Sequence, residues 1–114
     1  MSTDAVIDAA TFAELQDSAG ADFVRELVDT FLEEAPIMLA EMQSALAAGQ
    51  AEAFRRAAHS LKSNANTFGA LVLGQAAREL ELGGIEAGKA PGALDRVQQE
   101  YARARTALMG LRDG

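Results

Sequence analysis

Residues 54–70 read Phe54-Arg55-Arg56-Ala57-Ala58-His59-Ser60-Leu61-Lys62-Ser63-Asn64-Ala65-Asn66-Thr67-Phe68-Gly69-Ala70, and the periodicity of this stretch decides the fold. At about 100° per residue, Phe54, Ala58, Leu61, Ala65 and Phe68 fall on one stripe about 80° wide. That is the buried face of an amphipathic helix. His59, the only histidine of the chain, lies about 140° from the centre of the stripe, on the polar face. Arg55 and Lys62 flank it on one side, Arg56 and Ser63 on the other, and Asn66 shares its angle.

The same reading extends outward. Thr11-Phe12-Ala13-Glu14 has the form of a capping box and predicts a short first helix ending near Ser18-Ala19-Gly20. Asp22 is placed to cap the next helix, which carries Phe23, Leu27, Phe31, Met38, Met42 and Leu46 before Gly49 stops it. Pro36 falls inside this helix and predicts a bend or a broken hydrogen-bond ladder, at about 3 kcal/mol if nothing compensates. The histidine helix runs from about residue 51 to 67, with Phe68-Gly69 as the turn. A fourth helix carries Leu71, Leu73, Ala76, Leu80 and Ile85, is frayed at Gly83-Gly84 and ends at Gly88. Pro91 suits the first turn of a last helix, in which Leu94, Val97, Tyr101, Ala104, Leu108 and Leu111 alternate spacings of three and four. No strand pattern, repeat or low-complexity linker interrupts the chain. Short connections predict antiparallel neighbours. The expected fold is all-α: an up-down-up-down four-helix bundle with a short extra N-terminal helix across one end, forming a single domain over residues 1–114. Phe31, Met38 and Met42 read as core, methionine being a common filler.

Composition narrows the functional classes. The chain has 114 residues, of which 49% are hydrophobic, 24% charged and 5% aromatic; it can build one core and stay soluble. It has no cysteine, so disulfides and thiolate metal sites are excluded. Met1-Ser2-Thr3-Asp4 lacks the basic and apolar regions of a signal peptide. No stretch approaches the roughly 20 apolar residues that span a bilayer. A cytoplasmic protein, without membrane attachment, is expected. The 17 acidic and 10 basic residues give a net charge of −7, which argues against nucleic acid as a partner.

Against that acidic background, residues 55–62 hold three of the ten cations and no acid. Such a spot suits an anion. Imidazole is substantially neutral near pH 7, and its free ring nitrogen can attack phosphorus without a separate strong base. On helix geometry alone the alternative stays open that His59 is a tolerated surface residue. Other chemistries lack their parts. One histidine and scattered carboxylates supply neither a calcium loop nor a di-iron motif, and no metal site is expected. Ser60 and Ser63 beside His59 lack the preorganised donors of a serine hydrolase. No glycine-rich phosphate loop occurs. No ATP-dependent kinase activity and no cofactor of its own are therefore expected, and any phosphoryl group on His59 would have to come from a partner.

The run Ala58-His59-Ser60-Leu61-Lys62, followed by Phe68-Gly69-Ala70, resembles the signature of histidine-containing phosphotransfer (HPt) domains, usually Ala-His-x-Leu-Lys-Gly and then an apolar residue with Gly-Ala. Phe31-Leu32-Glu33-Glu34-Ala35-Pro36 and Ala77-Arg78-Glu79-Leu80-Glu81 look like the helices that flank it, so the resemblance covers roughly residues 8–110. It implies that His59 is the phosphoacceptor and that Lys62 offsets the charge of the phosphoryl oxygens. Arg55, Arg56, Ser63, Asn66, Gly69 and Ala70 become supporting or partner-docking residues, with Gly69 keeping the nearby surface low. Ser63 stands where the family most often has glycine, which puts transfer rate and partner choice in question. The implied partners are response-regulator receiver domains, with Mg2+ bound on the receiver, and a hybrid sensor kinase. The remaining docking contacts are expected from apolar residues exposed on the second and third helices. A monomer is expected, since four amphipathic helices satisfy one another. Two alternatives stand beside this reading: a non-catalytic HPt-like interaction module, and an HPt domain belonging to a larger kinase.

Overall fold

Helical periodicity becomes five helices in the computed structural model, which describes residues 6–113: α1 (Ala9–Ala19), α2 (Ala21–Ala48), α3 (Ala51–Thr67), α4 (Leu71–Lys89) and α5 (Ala93–Asp113). The stretch Met1-Ser2-Thr3-Asp4, read above for a signal peptide, lies outside the described residues. Among the described residues no helix is long and apolar enough to cross a membrane.

Local chemistry sets the helix ends, with some departures from expectation. α1 starts earlier than the capping box suggested. Asp8 is its cap, accepting hydrogen bonds from both the backbone N–H (3.0 Å) and the hydroxyl of Thr11. A carboxylate at this position satisfies a free amide and suits the positive end of the helix, so Thr11 becomes a third-position donor. Gly20, not Asp22, precedes α2, and Asp22 sits in the first turn. α2 stays helical through Pro36. α5 begins at Ala93, so Pro91 lies in the preceding turn. α4 carries a break where expected: Gly84 adopts φ 67°, ψ −155°, and helix resumes after it as far as Lys89. Only glycine takes that conformation without strain.

Side-chain meetings fix the order of packing. Leu46 at the end of α2, Phe54 at the start of α3 and Gly88 at the end of α4 meet in one place. Asn66 near the end of α3 lies against Gly74 near the start of α4. Arg112 near the end of α5 pairs with Asp29 in the first half of α2 at 2.6 Å. These pairings fit a four-helix bundle with up-down-up-down connections. α1 covers one end, where the Asp8 N–H donates to the Gly69 carbonyl at 2.7 Å.

The core follows the sequence stripes. Phe54, Ala58, Leu61, Ala65 and Phe68 are all buried, as are Val97, Tyr101, Ala104 and Leu108 of α5. Phe31 packs on Phe68 and edge-on against Tyr101, with ring centroids 5.3 and 6.1 Å apart, a favourable geometry for aromatic pairs. Met42 is buried and Met38 partly so. Phe23, Leu71 and Leu111, the last of the α5 seam, are exposed instead. In α2, Val24 and Val28 take the inward positions that the spacing of Phe23 and Leu27 suggested for those two.

Candidate functional site

The buried stripe of α3 anchors the helix so firmly that its opposite face is fixed. Ala58 has no exposed surface, while the side chain of His59 is 51% exposed. What lies beside the imidazole comes from another helix. His59 Nδ1 is 2.7 Å from Glu81 Oε2, and Lys62 Nζ is 2.8 Å from Glu81 Oε1. The lysine contact is a close ion pair whose angle falls short of a well-formed hydrogen bond, and Oε1 has no other partner. Glu81 is only 12% exposed and Lys62 23%.

α4 reaches this position because of three residues spaced by seven. Gly74 and Glu81 share one helix face ahead of the break at Gly84, Gly88 lies behind it, and all three meet α3. A Cβ on Gly74 would fall 2.0 Å from Asn66 Oδ1, and one on Gly88 2.7 Å from Phe54 Cζ. Glycine above and below the acid lets the two helices approach. The carboxylate then lies under the imidazole and the ammonium.

The charges define the tautomer. The Lys62 ammonium first, and the His59 hydrogen bond after it, hold the Glu81 carboxyl below the usual carboxylate range, against the opposing effect of partial burial. An ionised carboxylate only accepts hydrogen bonds, so Nδ1 is the donor, and in the neutral form of the ring the lone pair is on Nε2. Among the described residues Nε2 has no hydrogen-bond partner.

The remaining sequence-selected residues divide. Arg55 turns to Glu52 of its own helix, with Nε 3.1 Å from Oε2. Arg56 makes no ion pair among the described residues and lines a groove of about 360 Å³ between α2 and α3 with Met38, Glu41, Ala53, Ala57 and Ser60. Ser63 is exposed one turn beyond His59. Asn66 is exposed but lies across Gly74, two turns from the imidazole. Gly69 and Ala70 sit at the turn after the histidine helix. Both are buried in the α3–α4 turn, and a Cβ on Gly69 (φ 83°) would approach the Asp8 carbonyl oxygen to 2.8 Å. The Gly69 carbonyl, accepting from the Asp8 N–H, ties the start of α1 to the bundle end.

Glu81 is the site residue that the sequence reading missed. The run of cations without an acid in α3 is balanced in space by Glu81 and Glu52, leaving Arg56 as the uncommitted charge of the three. The available signal was an acid placed midway between two glycines on the packed side of α4.

A helical bundle that presents one half-exposed histidine, oriented by a carboxylate and flanked by lysine, has the makings of a phosphoryl carrier. Residues 26–107 match the family described as Hpt domain. The chain belongs to that family and is a histidine phosphotransfer protein of phosphorelays, whose partners are proteins such as receiver domains and kinases. Among solved structures it is similar to the crystal structure of histidine-containing phosphotransfer protein B (HptB) from Pseudomonas aeruginosa PAO1, at 30% identity over 95% of each chain with a TM-score of 0.84. A comparison with curated proteins gave no significant match.

Proposed function

We propose that His59 is the phosphoacceptor, that Nε2 is the reacting nitrogen, and that Lys62 steadies the phosphoryl oxygens. The observation that carries this reading is the 2.7 Å contact of Nδ1 with Glu81. It commits one ring nitrogen and leaves the lone pair of the other to a ring that is half exposed.

A phosphoaspartate on a receiver domain, or a phosphorylated sensor kinase, donates the group; a second receiver takes it on. His59 Nε2 attacks phosphorus in line, and the phosphorus–oxygen bond to the aspartyl carboxylate breaks with its electron pair leaving on that carboxylate. The chain supplies a positioned nucleophile and a landing surface. Magnesium, in this reading, belongs to the receiver. Arg56 and the α2–α3 groove form one side of the landing surface, with Ile37 of α2 (59% exposed) in the adjoining depression that shares Glu41 and Ala53 with it. Leu82 of α4, 68% exposed and next to Glu81, forms the other. No large apolar residue is exposed on α3, so the apolar contacts expected there move to α4. Exposed Ser63 leaves the approach open. The protein acts as a cytoplasmic monomer, its long helices covering one another's apolar faces.

Transfer from a phosphorylated receiver to the wild type and to His59→Gln tests the assignment. Acid-labile, alkali-stable label on the wild type alone is expected. Equal label on both would remove His59 from the role, and no label from a broad panel of receivers would favour a helical interaction module.

A further inference from the structure

The carboxylate of Glu81 has two partners in the unphosphorylated protein, and the arriving phosphoryl group competes for one of them. Lys62 is bound at Oε1 and His59 at Oε2. Building on His59 as the phosphoacceptor, we infer that Lys62 changes counter-ion during the reaction: it is stored on Glu81 before transfer and passes to the phosphoryl oxygens afterwards, leaving Glu81 to hold the ring proton of the phosphorylated imidazole.

The balance of charge drives the exchange. A neutral imidazole with its proton on Nδ1 attacks through Nε2, and no proton needs to leave. The product ring carries Nδ1–H, a phosphoryl group on Nε2 and one positive charge. Before transfer, Glu81 and Lys62 neutralise each other and the form of the ring that attacks is uncharged. After transfer, Glu81 faces an imidazolium at hydrogen-bond distance, and two negative charges have appeared on the far side of the ring. The ammonium then gains more from the dianion than from a carboxylate already neutralised by the ring. Lys62 is a flexible four-carbon stem on α3, one turn from His59, so a modest rotation suffices. Arg55 is the other cation that acts on Glu81, and it is held by Glu52; Lys62 is therefore the charge free to move.

The exchange has a consequence for discharge. With the Nδ1 proton retained, the leaving group in onward transfer is a neutral imidazole; without it, the leaving group is an imidazolate, far poorer. Glu81 is thus a positioning residue that keeps phospho-His59 ready to donate. While Lys62 remained on it, the carboxylate would attract that proton less.

The test follows the 15N resonances of the Lys62 ammonium and the His59 ring in the full chain, free and phosphorylated by a receiver, in wild type and Glu81→Gln. The glutamine keeps a hydrogen-bond acceptor near Nδ1 and removes the charge. Glu81→Gln is expected to shift the Lys62 resonance in the free protein and leave it near the wild-type position in the phosphorylated one. The variant should also discharge to a receiver more slowly, by roughly tenfold. A Lys62 resonance that responds equally to Glu81→Gln in both states overturns the exchange, as does discharge at the wild-type rate. Failure of wild type to take up label at all would instead strike the assignment of His59, so the two readings fail separately.

Discussion

The Tyr101 hydroxyl on α5 donates to the Leu32 carbonyl oxygen on α2, at 3.4 Å. Leu32 is the residue whose carbonyl an amide at position 36 would occupy, and position 36 is proline. The tyrosine thus serves, from a neighbouring helix, an acceptor that α2 cannot serve for itself. This is one compensation that lets α2 continue through Pro36. Tyr101→Phe is expected to cost about 1 kcal/mol, and clearly less in a Pro36→Ala background, where a backbone N–H is restored. Urea denaturation of the four proteins measures the coupling; strictly additive costs would contradict it.

Gly88 and Gly74 look equivalent in sequence and are not equivalent in space. A methyl group at Gly88 meets buried Phe54 and the Leu46 side chain, whereas at Gly74 it meets the exposed Asn66 carboxamide. Gly88→Ala is expected to destabilise by about 1–3 kcal/mol through overpacking. Gly74→Ala should displace Asn66 and change stability little, since the gain in helix propensity of about 1 kcal/mol opposes the crowding. Thermal unfolding of the two variants provides the comparison.

Gly69→Ala separates a docking role from a structural one. The positive φ and the contact with Asp8 predict a loss of about 1–3 kcal/mol, together with loosening of α1. Phosphotransfer per folded molecule should be unchanged. A variant of wild-type stability that transfers poorly would place Gly69 at the partner surface after all.

The Glu81 carboxyl titrates below its ordinary range in the folded chain because of Lys62 and then His59. A depressed folded value means that the stabilisation is present above the unfolded value of about 4.3 and is lost as pH falls through the folded one. Wild type should therefore lose more stability than Glu81→Gln on acidification from about pH 5 to pH 3. Parallel chemical denaturation curves at the two pH values check the sign. A difference that grows in acid would be the wrong one.

Much of this molecule is legible along the chain, for a physical reason. Burial of one helix face leaves a 3.6-residue period, and α3 and the middle of α5 show it cleanly; Phe54, Ala58, Leu61, Ala65 and Phe68 are all inside. The break at Gly83-Gly84 could be read because glycine is locally permissive. Two kinds of feature escaped. Repeated steps of four drift around a helix, so Phe23 was assigned to a core that Val24 enters instead. Glu81 depends on the axial offset between two helices, and no periodicity within α4 encodes which α3 residues will face it. The Asp8 cap is hidden because Thr11 three residues before Glu14 is a strong local pattern, whereas Asp8 caps equally well without one.

The conformation at Gly84 divides α4 into two rods, each seated on α3 by its own glycine: Gly74 ahead of the break and Gly88 behind it. Glu81 belongs to the forward rod. A joint here means that the two seats need not agree to a fraction of an ångström, as they would on one rigid rod. Changes in length or sequence behind residue 84 can be absorbed at the joint before they reach the carboxylate. Repacking of the Leu46–Phe54–Gly88 end of the bundle is thereby uncoupled from the spacing of acid and imidazole.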